Sequence, residues 1–351
     1  MKSALITGVT GQDGSYLAEL LLGKGYEVVG LRRRTSVENT GRLRLCLGHP
    51  QFELIEGDMV DAGSVYRIVS SYRPTEVYNL AAQSDVGASF GQPELTFQVN
   101  TLGTLHLLEA IRQCGLVTRF YQASTSEMFG KARGYQEEDT RIAPQSPYAI
   151  SKASAHHLVR MYRDAYGVYA CRGILFNHES ERRGAAFVTR KITMWLAQFS
   201  NWADRNGVCC SDVGFAEDDI YIRDNKGCVI RFPKLRLGNL DARRDWGHAR
   251  DYVEAMYLMM QQREPRDYVI ATGESRSIRD FLVASFSLIN VSDWTGYVVS
   301  DPKFYRPSDV GQLRGCAEKA KKELRWVPKV GFEELVRLMV EHDRELVRRS
   351  G

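Results

Sequence analysis

The strongest constraint on the fold lies at the very start of the chain. Ala4-Leu5-Ile6-Thr7 is a short apolar run of the kind that forms a buried strand, and Gly8-Val9-Thr10-Gly11-Gln12-Asp13-Gly14 follows it at once. A helical pattern then runs from Ser15 to Lys24 and stops at Gly25. A strand that enters a glycine-rich turn and leaves as a helix aims backbone N–H groups at an anion. Missing side chains let a pyrophosphate come close. Three glycines alone say little, but directly after an N-terminal strand they predict a dinucleotide site at Gly8, Thr10, Gly11, Gln12, Asp13 and Gly14. The bland alternative is an ordinary tight strand-to-helix turn.

The pattern repeats. Glu27–Leu31, Phe52–Ile55, Glu76–Leu80, Arg119–Ala123 and Tyr169–Phe176 read as strands, with helices at Asp61–Tyr72, Glu94–Cys114 and Pro147–Tyr166. Such alternation predicts an α/β fold with a Rossmann-type, doubly wound parallel sheet. The second half is less regular, with helices at Ala186–Phe199, Arg250–Gln262, Ser277–Ile289 and Phe332–Val347. The expected division is a dinucleotide domain over 1–176, to which segments around 240–260 return, and a smaller C-terminal α/β substrate lobe over 177–351. Residues at about 200–236 break the pattern, and Asp224-Asn225-Lys226-Gly227 between two apolar runs predicts a hairpin.

Composition narrows the class. Apolar residues make up 44% and charged residues 26% of the 351, ordinary values for a soluble globular protein. A net charge of +4 argues against general nucleic-acid binding. No apolar run is long enough for a membrane span, and the N-terminus shows no leader pattern, so the expected location is cytoplasmic. Seven scattered cysteines then read as reduced thiols. Cys209, Cys210 and Cys228 fit no common zinc spacing, so no metal is expected, and their segment reads as a surface hairpin, lid or oligomer contact.

At the end of the second strand, where an acid would hold the ribose hydroxyls of NAD, stand Arg32, Arg33 and Arg34. Guanidinium groups there suit a 2′-phosphate, which favours NADP. A solvated basic turn or a subunit contact is the alternative. Asp58, with Met59 beside it, follows the third strand and is placed to meet the adenine. Leu80, Ala81 and Ala82, with Ser84 just beyond, are small enough to let the cofactor pass.

The fifth strand runs into Ser124-Thr125-Ser126-Glu127, and Tyr148 and Lys152 lie one helical turn apart. A nearby ammonium favours phenolate, so Tyr148 is expected to act as a base near neutral pH. Thr125 can share a sugar hydroxyl proton with it. Glu127 adds a second base. Once a sugar C4 hydroxyl has become a ketone, the C5 proton is acidic. A carboxylate can then remove it and protonate a leaving C6 hydroxyl. The alternatives are turn-forming hydroxyls and a salt-bridged surface Glu.

These residues resemble the extended short-chain dehydrogenase/reductase family, and most closely its GDP-mannose 4,6-dehydratase branch. The resemblance rests on the run Leu5–Glu19, on Tyr78–Ser84, on Phe120–Glu127, on Gly173–Ser180, on Phe187–Thr193 and on Arg244–Ala249. It covers nearly the whole chain outside 200–236. It implies that Thr125, Glu127 and Tyr148 are catalytic with Lys152 in support, and that His178 and Arg183 lie near NADP. Asn177, Val188 and Lys191 would hold a GDP-sugar, Arg244 and Arg306 its phosphates or ribose, and Asp309 its ribose, with Ser84 and Ser126 completing the set. A homodimer or homotetramer is implied as well. The family carries Pro where this chain has Glu181, Glu-Thr where it has Ala185-Ala186, and Glu where it has Asp309. The region 200–236 is an insertion. By default the expected substrate is GDP-mannose. The smaller side chains at 185 and 186 leave room for a dehydratase or epimerase of another GDP-sugar, such as a heptose or octose. A sensor without catalysis is the remaining alternative, and the intact Thr125, Glu127, Tyr148 and Lys152 speak against it.

Overall fold

A computed structural model describes residues 2–350, excluding the side chain of Ser350. Its centre is a sheet of seven parallel strands. Six are β1 (Ser3–Thr7), β2 (Glu27–Arg32), β3 (Phe52–Glu56), β4 (Glu76–Asn79), β5 (Arg119–Thr125) and β6 (Ala170–Leu175), and the seventh is Asp267–Ile270. From one edge the order is the seventh strand, β6, β5, β4, β1, β2, β3. Every pairing is parallel. The direction of winding reverses between β1 and β4, and a crevice opens there at the carboxyl ends of the strands. Thr7 closes that end: its hydroxyl donates to Asn79 Oδ1 at 2.8 Å and accepts from Leu80 N and Ala81 N, both at 3.1 Å.

The doubly wound sheet expected from the sequence is present. The seventh strand is the addition, since Asp267-Tyr268-Val269-Ile270 is too short to stand out. It is held by charge as well as by its ladder. Asp267 meets Arg163 at 3.0 Å and also pairs with Arg172, largely out of water. Burial alone would raise the Asp267 carboxyl, but the two guanidiniums hold it well below the usual range. The Ala249–Met260 helix packs on α1 (Gln12–Gly23) and shares one apolar cluster with β1 and the seventh strand, through Tyr252, Met256, Ile6 and Ile270.

Two local differences from the sequence reading have physical causes. α1 begins at Gln12 rather than Ser15, because Gln12 to Gly14 carry no apolar periodicity although their backbone is helical. The single helix expected over Glu94–Cys114 is Pro93–Phe97, a π-helical turn at Gln98–Leu102 and Gly103–Gln113, with a separate short helix at Val86–Gly91 ahead of it. Buried Asn100 sits in the wide turn. It donates to Ser151 Oγ and to the Gln83 carbonyl, both at 3.0 Å, and accepts from Gln83 N at 2.9 Å. The wide turn thus aims one amide at the loop after β4 and at the Pro147–Tyr166 helix together.

A second apolar cluster joins the helices Val188–Arg205, Ile278–Ser287 and Phe332–Ser350. The predicted hairpin is there: Asp219–Arg223 pairs antiparallel with Val229–Pro233, and Gly214–Phe215 adds a third strand. Asp224 Oδ1 accepts from Lys226 N and Cys228 N at 2.8 Å, which shapes the turn. All seven cysteines are free thiols. Among the described residues no His, Cys, Asp and Glu side chains gather as a metal site, and no helix is long and apolar enough to cross a membrane.

Candidate active site

A cleft of about 790 Å³ lies over the carboxyl ends of β1, β4, β5 and β6. One wall is the glycine turn. Gly8 adopts a left-handed φ of +68°, and a Cβ there would lie 2.9 Å from the Ala81 backbone. A Cβ on Gly14 would fall 2.4 Å from the Gly8 carbonyl oxygen. Gly11 is the N-cap of α1 and offers no side-chain acceptor, so the first-turn N–H groups are left to a ligand. This backbone cradle fits a dinucleotide pyrophosphate.

Asp13 and His178 close the floor of the cradle. His178 Nε2 is 2.8 Å from Asp13 Oδ2, and its Nδ1 is 2.7 Å from the Phe176 carbonyl oxygen. Both ring nitrogens face acceptors, an arrangement that favours the protonated ring. Burial opposes this charge, but Asp13 outweighs it and raises His178; Asp13 in turn is held below its ordinary value. Tyr252 stacks on the ring at 4.4 Å. Gln12 adds a second tie: its amide donates to the His178 carbonyl at 3.1 Å and accepts from Ser180 Oγ at 2.8 Å.

At the centre of the cleft, β5 ends on Thr125, whose hydroxyl accepts from Glu127 N at 3.3 Å and caps the short turn Ser126–Phe129. Opposite, Ser146 caps the Pro147–Tyr166 helix, with Pro147 in its first turn. That start places Tyr148 and Lys152 on the face toward β5. Thr125, Ser126, Glu127, Tyr148 and Lys152 all line the cleft and all are buried. Lys152 Nζ donates to the Ala123 carbonyl at 2.7 Å. Burial pushes the ammonium down to about 8.

The expectation of a phenolate favoured by Lys152 meets a stronger effect. Burial pushes the Tyr148 phenol up to about 12, with the Thr125 hydroxyl pulling it down and the Glu127 charge pushing it up. Desolvation outweighs the ammonium one turn away, which is occupied by a backbone carbonyl.

The far wall comes from the second half of the chain. Asn177, Val188, Lys191, Arg244, Arg306 and Asp309 line it, while His178 and Arg183, and Leu80, Ala81, Ala82 and Ser84 at the rim of β4, line the cleft on the cradle side. Arg244 is buried; it pairs with Asp309 at 2.8 Å and lies 3.8 Å from Glu127. Arg306 lies 3.8 Å from Glu127 and 3.6 Å from Asp309. Two guanidiniums thus stand beside the carboxylate that the sequence singled out as a base. Lys191 lies 3.7 Å over the Phe304 ring, and burial lowers it.

Four expected cofactor residues do not line the cleft. Arg33 and Arg34 are exposed beyond β2, where Arg32 pairs with Glu56 at 3.1 Å. Asp58 accepts from Val60 N at 3.2 Å, and Met59 is buried against Gly103. The sequence reading missed Asn239, Lys303 and Tyr305, which do line it. Gly238 brings their segments together: a Cβ there would sit 2.5 Å from the Phe304 carbonyl oxygen. The basic and aromatic run Lys303-Phe304-Tyr305-Arg306 was the available signal.

A family model described as GDP-mannose 4,6 dehydratase matches residues 5–208 and 227–339, so the unmatched stretch falls inside the irregular region. The chain is 48% identical to GDP-mannose 4,6 dehydratase 1 of Arabidopsis thaliana, over 99% of this chain and 91% of that one. It is 46% identical to the GDP-mannose 4,6 dehydratase of Homo sapiens, over 98% and 92%. Among solved structures, Thermus thermophilus UDP-glucose 4-epimerase in complex with NAD superimposes with a TM-score of 0.78 at 28% identity, over 97% of this chain and 99% of that one. The dTDP-glucose 4,6-dehydratase of Bacillus anthracis, in complex with NAD, has the same fold with a TM-score of 0.78 at 20% identity, over 98% and 97%. The chain belongs to the GDP-mannose 4,6-dehydratase family.

Proposed function

We propose that this protein is a hydro-lyase that converts GDP-mannose to GDP-4-keto-6-deoxymannose. The observation that carries the reading is one cleft in which Glu127, Thr125, Tyr148 and Lys152 converge beside a backbone cradle for a dinucleotide.

Thr125 and Tyr148 hold the C4 hydroxyl, and Tyr148 removes its proton. Lys152 orients the ribose next to the reacting ring and supplies a positive charge near the phenol. A nicotinamide cofactor held at the cradle would supply the hydride chemistry between C4 and C6, and its positive charge when oxidised would favour phenolate at Tyr148. Glu127 takes the C5 proton, made acidic by the C4 ketone, and gives a proton to the departing C6 hydroxyl. One water is lost, a solvent-derived proton completes C5 after hydride reaches C6, and substrate oxidation at C4 is balanced by reduction at C6. Arg244, Arg306 and Lys191 hold the diphosphate, as guanidinium and ammonium groups do well. Asn177, Val188 and Asp309 contact the sugar and the guanosine, with Ser84 and Ser126 at the ring.

The cofactor is read as NADP because Arg33 and Arg34 stand free at the end of β2, where no acid replaces them. Residues 1–176 hold it, and 177–351 mainly hold the GDP-sugar. A homodimer or homotetramer fits Leu95, Leu102, Ile150 and Met161, large apolar side chains exposed on neighbouring helices. A cytoplasmic location fits the free thiols.

The test is to incubate the protein with GDP-mannose in deuterated water and follow the product by mass spectrometry. Loss of water with one deuteron at C5 is expected. Unchanged GDP-mannose would overturn the reading. Ala186 on the cleft wall keeps one second reading in play, dehydration of a GDP-heptose or GDP-octose. That reading gains if those sugars turn over and GDP-mannose does not.

A further inference from the structure

Ser180, Glu181, Arg182 and Arg183 form a tight turn, closed by Arg183 N–H to the Ser180 carbonyl at 3.0 Å. The turn carries Arg183 into the cleft, with His178 just before it. Position 181 is the second residue of this turn. Proline suits that position because its ring sets φ in advance, and the resembling family carries Pro there. Glu181 has no such constraint. Its side chain is fastened instead.

The Glu181 carboxylate accepts from the Tyr16 hydroxyl at 2.9 Å and from His248 Nε2 at 3.2 Å. His248 Nδ1 accepts from Arg250 N at 3.1 Å, so the proton lies on Nε2 and the imidazole donates to Glu181. Tyr16 belongs to α1, the helix whose N-terminus faces the cleft, and His248 caps the helix packed against it. Around this contact the turn is tied at its other residues. Arg182 pairs with Glu19 at 2.8 Å and lies 4.0 Å over the Tyr16 ring. Arg183 pairs with Glu179 at 3.0 Å and lies 3.6 Å over Phe187. Arg190 donates to the Glu181 and Arg183 carbonyls. Of these anchors only the Glu181 carboxylate joins the turn to both α1 and the 249–260 helix.

We infer that Glu181 is a positioning residue for the dinucleotide: its carboxylate latches the Ser180–Arg183 turn to Tyr16 and His248 and so sets where Arg183 and His178 meet the bound phosphates. A side-chain latch here does the work that a proline ring would do through the backbone. The inference rests on the dinucleotide reading of the cleft. The Glu181 side chain is not among the cleft-lining residues, so its effect reaches the ligand through the turn.

The experiment compares full-length wild type, Glu181→Ala, Glu181→Pro and Tyr16→Phe by equilibrium dialysis against NADP and, separately, against GDP, with thermal melting of each. Glu181→Ala should weaken NADP about tenfold, the size of a lost charge-assisted contact pair. Tyr16→Phe should shift it less, in the same direction. GDP binding should not move in any variant. Glu181→Pro should restore most of the lost NADP affinity. NADP binding by Glu181→Ala equal to wild type would overturn the latch. So would parallel losses of NADP binding, GDP binding and thermal stability that Pro does not repair. Wild type that binds GDP but no dinucleotide would remove the cofactor reading itself, and the latch with it.

Discussion

Along one wall of the cleft, backbone lies where side chains would otherwise be. Gly8, Gly11 and Gly14 fit against each other and against Ala81 with no space for a Cβ at Gly8 or Gly14. Along the other wall, long charged side chains span gaps between segments far apart in the chain, as Arg244 does to Asp309 and Arg306 to Glu127. The first wall is rigid because hydrogen-bonded backbone in a parallel sheet has few ways to move. The second depends on ion pairs between loops, many of them partly in water. A backbone wall suits a cofactor that stays through the cycle. A side-chain wall suits a substrate that must enter and leave. Each prediction below either breaks this contrast or sharpens it.

The largest effect is expected where the walls meet. Glu127→Gln keeps the volume but exchanges one acceptor oxygen for a donor amide and removes the base. Turnover of GDP-mannose should fall about 10²–10⁴-fold, the usual contribution of a positioned acid–base group. Deuterium incorporation at C5 should fall with it, while NADP and GDP binding persist. Turnover close to wild type would remove Glu127 from the chemistry. A simultaneous loss of GDP binding would instead assign it to the far wall, as a partner of Arg244 and Arg306.

Next comes the sheet that carries the cofactor wall. Asp267 is largely buried between Arg163 and Arg172. Asp267→Ala leaves the buried Arg172 guanidinium without its ion-pair partner and half-buried Arg163 with Asp164 alone, and should cost about 3–5 kcal/mol, read by chemical denaturation. The pH dependence has a definite sign. The folded carboxyl lies below its ordinary value of about 3.8, so the unfolded chain binds the proton more readily. The stability this group contributes is present above about pH 4 and is lost as pH falls through the folded value. In Asp267→Ala that component of acid sensitivity should disappear. An unchanged acid profile would mean that the triad does not carry it.

Gly14→Ala tests the cradle directly. The new methyl would stand 2.4 Å from the Gly8 carbonyl oxygen, so backbone must shift. A cost of about 1–3 kcal/mol is expected, with NADP binding weakened more than GDP binding. Equal losses on both ligands would break the contrast between the walls.

The same contrast explains what was legible in the sequence. The cradle, β1 to β6 and the Tyr148/Lys152 pair follow from local spacing, because each is made within about two turns of chain. The hairpin at Asp219–Pro233 was readable for the same reason. The seventh strand was not. Its four residues owe their place to Arg163 and Arg172, remote in the sequence. The π-helical turn at Gln98–Leu102 was hidden because its cause is a buried amide contacting two other elements. On the far wall, Arg244, Arg306 and Asp309 were reached only through the family resemblance, and Asn239, Lys303 and Tyr305 not at all. No periodicity marks residues that converge through loops. The shift of Tyr148 upward was also invisible, since spacing locates a charge but says nothing of burial.

The smallest effect concerns the irregular region, in which the family model leaves residues 209–226 unmatched. From the hairpin the chain enters the strand Leu235–Leu237, which pairs with Val298–Ser300 and leads into Gly238 and Asn239 on the cleft wall. Arg236 bridges Asp218 of the irregular region and Asp301, at 3.2 Å from the latter. Asp301 caps the turn that begins the Lys303–Asp309 wall, accepting from Lys303 N at 3.0 Å. The irregular region is therefore joined to the side-chain wall of the cleft. Arg236 is partly exposed, so the bridge is worth only a fraction of a kcal/mol, up to about 1. Arg236→Gln should raise KM for GDP-mannose about two- to fourfold at low salt, and the gap to wild type should narrow as salt screens the pair. NADP binding should stay at the wild-type value. A change in NADP binding of the same size would show that the irregular region acts on both walls, and the division between a backbone wall and a side-chain wall would then not extend to how this protein tunes its ligands.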